Sequence, residues 1–242
     1  MSESRFDPAA AQAALSGKNP RVILKAALEA FESITISFSG AEDVVLIDLA
    51  CQIKPGLDVF CLDTGRLHAE TYRFLEEVRK RYPIQLTVLS PDAVELSRMV
   101  SEKGLFSFFT DGHSECCGIR KVGPLRRHLQ GYEAWMTGQR RDQSATRQDL
   151  AEVEADRTFA AEGRQLIKFN PLANWTSAQV WDHIEAYQVP FNPLHRQGYV
   201  SIGCEPCTRP TLPNQHEREG RWWWEDTAKK ECGLHVGNIA KP

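Results

Sequence analysis

Alternating strand and helix patterns over the first two thirds of the chain predict an α/β protein, a mostly parallel sheet with helices on both faces. Three observations carry that expectation. Segments of period-two hydrophobicity alternate with segments of helical period, the strand candidates are short and apolar, and the pattern changes after Pro171, where proline, glycine and charge take over.

The elements follow in order. In PRVILKAALEAF, Leu24, Ala27, Leu28 and Phe31 recur at i, i+3, i+4 and i+7 and share one helix face. ITISF alternates Ile34, Ile36 and Phe38 as a strand does, and AEDVVLIDLACQIK returns to helical spacing through Leu46, Leu49, Ala50 and Ile53. LDVFCLD reads as a short buried strand. RLHAETYRFLEEVRKRY places Leu67, Thr71, Phe74, Leu75 and Val78 on a stripe, and IQLTVLS gives another strand. A helix near Asp92 to Lys103 and strands near Tyr132 to Met136 and Gln165 to Phe169 complete the core. NWTSAQVWDHIEAY is a helix with a Thr176/Gln179 capping box. The expected organisation is one domain over 1–242, with a core at about 20–170, an irregular lobe at 171–225 and a mobile tail at 226–242. In such a sheet, ligands sit at the carboxyl ends of the strands.

A net charge of −3 gives no general case for binding nucleic acid or a membrane, so an anionic partner should be small. MSESRFDPAA lacks a basic start and an apolar run, which points to the cytoplasm. In that reducing compartment, seven cysteines are more often ligands, nucleophiles or buried thiols than disulfide partners. Cys51 and Cys61 lie in apolar segments and are expected to be packing residues. Cys116 and Cys117 are adjacent, and Cys204 and Cys207 form the CxxC of GCEPC.

A CxxC alone does not discriminate among chemistries. Two neighbouring thiolates can reach separate irons of one cluster where the backbone curls, as at a helix start, and a single tetrahedral zinc suits them less well. Gly118, Gly203 and Pro206 provide turns around these thiols. From the cysteines alone, iron–sulfur, zinc and unligated thiols all stand open, in that order. The histidines show no metal-ligand spacing as a group, and Trp222, Trp223 and Trp224 are expected to pack the lobe onto the sheet.

ECCGIRKVGPL, SIGCEPCT and ECGLH together resemble the assimilatory adenylyl-sulfate reductases, thioredoxin-dependent enzymes that reduce adenosine 5′-phosphosulfate to sulfite. The resemblance continues through SFSGAEDV, LDTGRLHAETY, TGQRRDQSATR and HEREGRWWW, from about residue 35 onward. It implies a [4Fe-4S] cluster on Cys116, Cys117, Cys204 and Cys207, and a nucleophilic Cys232. Related reductases acting on 3′-phosphoadenylyl sulfate commonly carry ECGLH without the four cluster cysteines. The full set therefore favours the nucleotide without the 3′-phosphate, with a 3′-phosphoadenylyl sulfate reductase or a dual-substrate enzyme as the alternative.

SFSGAEDV resembles the SGGxD-type loop of adenine nucleotide alpha-hydrolase (PP-loop) folds, with Ser39 and Gly40 as the anion contacts. It departs from that loop at Ala41 and Glu42 and lacks a Walker GK[ST] ending, so ATP hydrolysis is not expected. Asp63, Thr64, Gly65 and Arg66 of LDTGR should emerge on the same side and hold the nucleoside. Phosphosulfate needs cations, for which Lys121, Arg141, Arg147, Arg218 and Arg221 are the candidates. Lys121, four residues after Cys117, would face both cluster and substrate on a helix.

The implied chemistry is attack by the Cys232 thiolate on the sulfate sulfur, departure of AMP, and release of sulfite by thioredoxin or a glutaredoxin-like dithiol. His235 and nearby basic residues favour that thiolate, and Glu231 opposes it. A homo-oligomer is compatible with the sequence. Two other classes predict different behaviour: a PP-loop adenylating or thiolating enzyme with a four-cysteine zinc site would consume ATP, and an iron–sulfur sensor would not need Cys232.

Overall fold

The computed structural model describes residues 6–40, 43–212 and 215–225. The tail at 226–242, with Cys232 and His235, lies outside the described residues, as do Ala41 and Glu42.

Six strands form one sheet in the order β3-β2-β1-β4-β6-β5. They are β1 (Ile34–Ser37), β2 (Leu57–Leu62), β3 (Ile84–Leu89), β4 (Ala134–Met136), β5 (Val153–Ala155) and β6 (Ile167–Phe169). All neighbours are parallel except β5, which runs antiparallel to β6. The antiparallel edge is a feature that periodicity did not predict: a three-residue Val-Glu-Ala strand is too short to display a period.

The helices are α1 (Pro8–Leu15), α2 (Pro20–Ala30), α3 (Asp43–Cys51), α4 (Ala69–Arg81), α5 (Ala93–Lys103), α6 (Ser114–Cys117), α7 (Gly123–Leu129) and α8 (Ser177–Tyr187). Asp7 caps α1 by accepting from the N–H groups of Ala9 and Ala10. The Thr176/Gln179 capping box is present at the start of α8. Helix α3 is buried from Asp43 through Ala50 and packs against α2 and α8, consistent with its nearly all-apolar sequence.

Side chains alternate across the strands, so the sheet has a core on each face. Val59 and Cys61 of β2, with Ala134 and Met136 of β4, join the large core beneath α2 and α3. Phe60 and Trp135 point the other way, into a smaller core with Leu125 and Leu129 of α7. The chain runs β1-β2-β3 to one side and places β4, β6 and β5 on the other. That reversal opens a crevice at the carboxyl ends of β1 and β4.

The cysteine pair lies in one helical run: α6 passes through a π-helical turn at Gly118–Val122 directly into α7. Such a turn is an insertion often found at functional positions. The lobe after Pro171 contains α8 and two short 3-10 turns, Pro193–Gln197 and Glu205–Cys207. It is joined to the core by a bridge between Leu67 and Cys204, and folded on itself by one between Thr208 and Arg221. Among the described residues, no helix is long and apolar enough to cross a membrane.

Candidate functional site

At the switch point, Asp43 at the start of α3 is buried and accepts three hydrogen bonds. Ser39 donates its N–H at 2.7 Å and its hydroxyl at 2.6 Å, and Gly138 donates its N–H at 2.9 Å. Burial raises the Asp43 carboxyl above its ordinary value, and the Ser39 and Gly138 bonds oppose that rise. Position 138 requires glycine because a Cβ there would collide with the Asp43 carboxylate.

These turns form the floor of a cavity of about 190 Å³. Ser39, Gly40, Thr64, Lys121, Arg147, Arg218 and Arg221, all site candidates from the sequence, line it together. Arg147 bonds Gln143 across the loop that follows β4. Arg221 lies over the Trp222 ring at 4.5 Å and donates to the Ile202 carbonyl at 3.4 Å and to Ser201 Oγ at 3.5 Å. Its guanidinium passes so close to Gly203 that a Cβ there would clash.

A second, smaller cavity adjoins the first and is lined by all four cysteines with Arg66, Phe108, His113, Arg120 and Lys121. Lys121 and Cys204 line both cavities. The CxxC turn is clipped in place by the Glu205 N–H, which donates to the Arg66 carbonyl at 2.8 Å, and by a 3.1 Å hydrogen bond shared by Thr64 Oγ1 and Cys204 Sγ. Hydrogen bonding from Cys207 holds the Cys204 thiol well below its ordinary value, with help from Lys121 against the effect of burial. The same contact and burial push Cys207 up. Trp222 is fully buried and stacks on His113 at 4.2 Å, and the His113 ring bonds Glu225 at 2.7 Å. The tryptophan run therefore packs the lobe against the cysteine helix. Among the described residues, no three His, Cys, Asp or Glu side chains are placed to hold a single metal ion.

Four candidates lie elsewhere. Asp63 accepts from the Tyr72 hydroxyl at 2.7 Å and the Gly65 N–H at 2.8 Å, and Gly65, at φ +69°, turns the loop. Arg66 lines the thiol cavity instead, bonded to the Leu105 carbonyl and resting on Phe106 and Phe108. Arg141 bonds Asn174 and pairs with Glu152 at 3.2 Å, away from the cavity. Arg140 and Arg141 sit at the turn into a 3-10 helix, where Arg140 is extended and its side chain is fully buried.

Sequence reasoning missed Asp43, Gly138, Glu217 and Arg120. Arg120 is buried and donates to the Thr64 carbonyl at 2.5 Å, and its position four residues after Cys116 was the available signal. His195 also lines the larger cavity.

Residues 33–210 match the family model described as the phosphoadenosine phosphosulfate reductase domain. The chain belongs to the phosphoadenosine phosphosulfate reductase family. It is 58% identical over 236 residues to an adenosine 5′-phosphosulfate reductase of Pseudomonas aeruginosa (strain LESB58), covering 97% of this chain and 88% of that protein. It is 55% identical over 230 residues to a probable chloroplastic 5′-adenylylsulfate reductase 1 of Oryza sativa subsp. japonica, covering 93% of this chain and 48% of the plant protein. A solved phosphoadenylyl-sulfate reductase from Candida auris, in a phosphate complex, superimposes with a TM-score of 0.71 at 28% identity, over 86% of this chain and 99% of that one. An FMN adenylyltransferase from Candida glabrata, at 17% identity and TM-score 0.56 over 89% of this chain and 70% of that one, shares the fold. These likenesses agree with the α/β nucleotide alpha-hydrolase-like architecture expected for this reductase family member.

Two outcomes follow from the site geometry. Gly138→Ala forces the Asp43 carboxylate off its three donors and should destabilise the protein by about 1–3 kcal/mol, read by urea denaturation. Burial lowers His195 from its ordinary 6.5 to about 4, so between these values the unfolded chain binds a proton that the folded chain refuses. Stability from His195 is thus present above about pH 6.5 and lost as pH falls towards 4. His195→Gln should flatten that part of the stability-versus-pH curve.

Proposed function

We propose that this chain reduces adenosine 5′-phosphosulfate to sulfite and AMP in sulfate assimilation, through a cysteine S-sulfonate on Cys232. The observation that carries this reading is the wall shared by the two cavities. Lys121 and Cys204 face both the crevice where the family fold receives a nucleotide and the pocket of four thiols. The names of the bacterial and plant relatives support the substrate without a 3′-phosphate.

In this reading Ser39 and Gly40, turned onto Asp43, line the cavity, while Lys121, Arg147, Arg218 and Arg221 receive the phosphosulfate and neutralise charge as the sulfate bond is broken. The Cys232 thiolate forms a bond to the sulfate sulfur, and the bond from that sulfur to the phosphate oxygen breaks, its electron pair leaving with AMP. A thiolate of a thioredoxin-type dithiol then attacks Cys232 Sγ. Sulfite departs with the electron pair of the S–S bond, and the second thiol of the partner releases Cys232 as thiolate. The balance is one nucleotide phosphosulfate and one dithiol converted to AMP, sulfite and one disulfide. A reducing cytoplasm fits that requirement.

The donor set of the smaller cavity fits an iron–sulfur cluster of the [4Fe-4S] type, held by Cys116, Cys117, Cys204 and Cys207. Four thiols line one space, two of them on consecutive residues of a helical turn. When bound, the cluster supplies a fixed charge beside Lys121 and Arg120, since the dithiol already provides both electrons. Thr64, through its hydrogen bond to Cys204, keeps that ligand in place.

Purified protein given adenosine 5′-phosphosulfate, a thioredoxin-type protein and a dithiol should release sulfite and show the brown absorbance of a cluster. Cys232→Ser should abolish sulfite release and keep the colour, whereas Cys204→Ser should lose the colour. A colourless, active protein would overturn the cluster assignment, and consumption of ATP without sulfite would overturn the reductase reading.

A further inference from the structure

The anion-binding cavity contains an acid. Glu217 lines it alongside Lys121, Arg147, Arg218 and Arg221, and the Glu217 carboxylate lies 3.6 Å from Nη2 of Arg140. Arg140 is fully buried behind the cavity wall: its neighbour Gln139 lines the cavity and it does not. A second carboxylate, Asp142, meets Nη1 of Arg140 at 3.3 Å, but the Asp142 side chain is 48% exposed and that of Glu217 is 15% exposed. The better-desolvated counter-charge for the buried guanidinium is therefore Glu217.

The other acid lining the cavity, Asp43, directs its carboxylate at Ser39 and the Gly138 N–H. Glu217 shares the cavity lining with the four cations. A pocket of four cations with no opposing charge would hold nucleotide and AMP alike, and tight binding common to both does nothing for turnover while slowing release of the product.

We propose that Glu217 is the internal counter-anion of this site, neutralising buried Arg140 and weakening retention of AMP so that the product leaves. The inference rests on reading the cavity as an adenylyl-sulfate site. One unit charge removed from the cavity wall should tighten AMP binding about five- to tenfold, the size of a unit charge pair about 12–17 Å apart near a protein surface.

The test is titration of AMP into the full-length protein by calorimetry, with steady-state kinetics and melting temperature measured on the same preparations. Glu217→Gln should bind AMP about five- to tenfold more tightly, with lower kcat and lower KM. Glu217→Asp, which keeps the charge, should stay near the parent protein. Asp142→Asn, altering the carboxylate outside the cavity, should leave AMP affinity unchanged. Should Glu217→Gln fail to fold, the pair Glu217→Gln with Arg140→Met removes both charges. It should still tighten AMP, by a smaller factor, because the lost acid lies nearer the ligand than the lost cation. Folded Glu217→Gln protein with unchanged or weaker AMP affinity overturns the counter-anion role, as does an Asp variant that behaves like the Gln variant. Parent protein that binds no AMP at all overturns the nucleotide reading itself.

Discussion

One buried carboxylate ties the carboxyl ends of two neighbouring strands together. Asp43 receives the N–H and hydroxyl of Ser39, just beyond β1, and the N–H of Gly138, just beyond β4. At the point where the strand order reverses, the two loops would otherwise be free to part. The clamp positions one side of the crevice: the turn at Ser39 and Gly40, the start of the loop after β4, and the start of α3. A carboxyl so deeply buried is tolerated because three donors satisfy it, and losing one of them would leave it with an unmet hydrogen bond.

The second constraint is the attachment of the lobe to the sheet. The loop after β2 supplies the Arg66 carbonyl to the Glu205 N–H and the Thr64 hydroxyl to Cys204. The helix with the π turn supplies Cys116, Cys117, Arg120 and Lys121 from the opposite side. Three chain segments far apart in sequence thus meet around four thiols, and Trp222, stacked on His113, closes the joint. The same segments form one side of the nucleotide crevice, so the thiol pocket and the crevice share structure as well as residues.

Much of this was legible in the sequence where a signal repeats. Five of the six strands and most helices followed from hydrophobic period, and the capping box at Thr176 from two residues of the right type at the right spacing. Strand β5 was not legible, because three residues carry no period, and α1 was not, because its alanine-rich sequence buries no residue and so has no stripe. The site was legible in composition more than in direction. Long cationic side chains announce charge, but the backbone decides where it goes: Arg66 turned to the thiols, Arg141 to Glu152, and their neighbours Arg120 and Arg140 went inward. Asp43 stood in plain view within SFSGAEDV, yet its role depends on Gly138, ninety-five residues away along the chain.

The proposed reduction requires a covalent bond between Cys232 and the sulfonyl group of the nucleotide. The most direct measurement is the mass of the carboxyl-terminal peptide after intact protein is mixed with adenosine 5′-phosphosulfate and no reductant. The peptide containing Cys232 should gain one SO3, with one AMP released for each adduct, and lose the adduct when a dithiol is added. Sulfite formed by protein that never carries that adduct would contradict the proposed reduction.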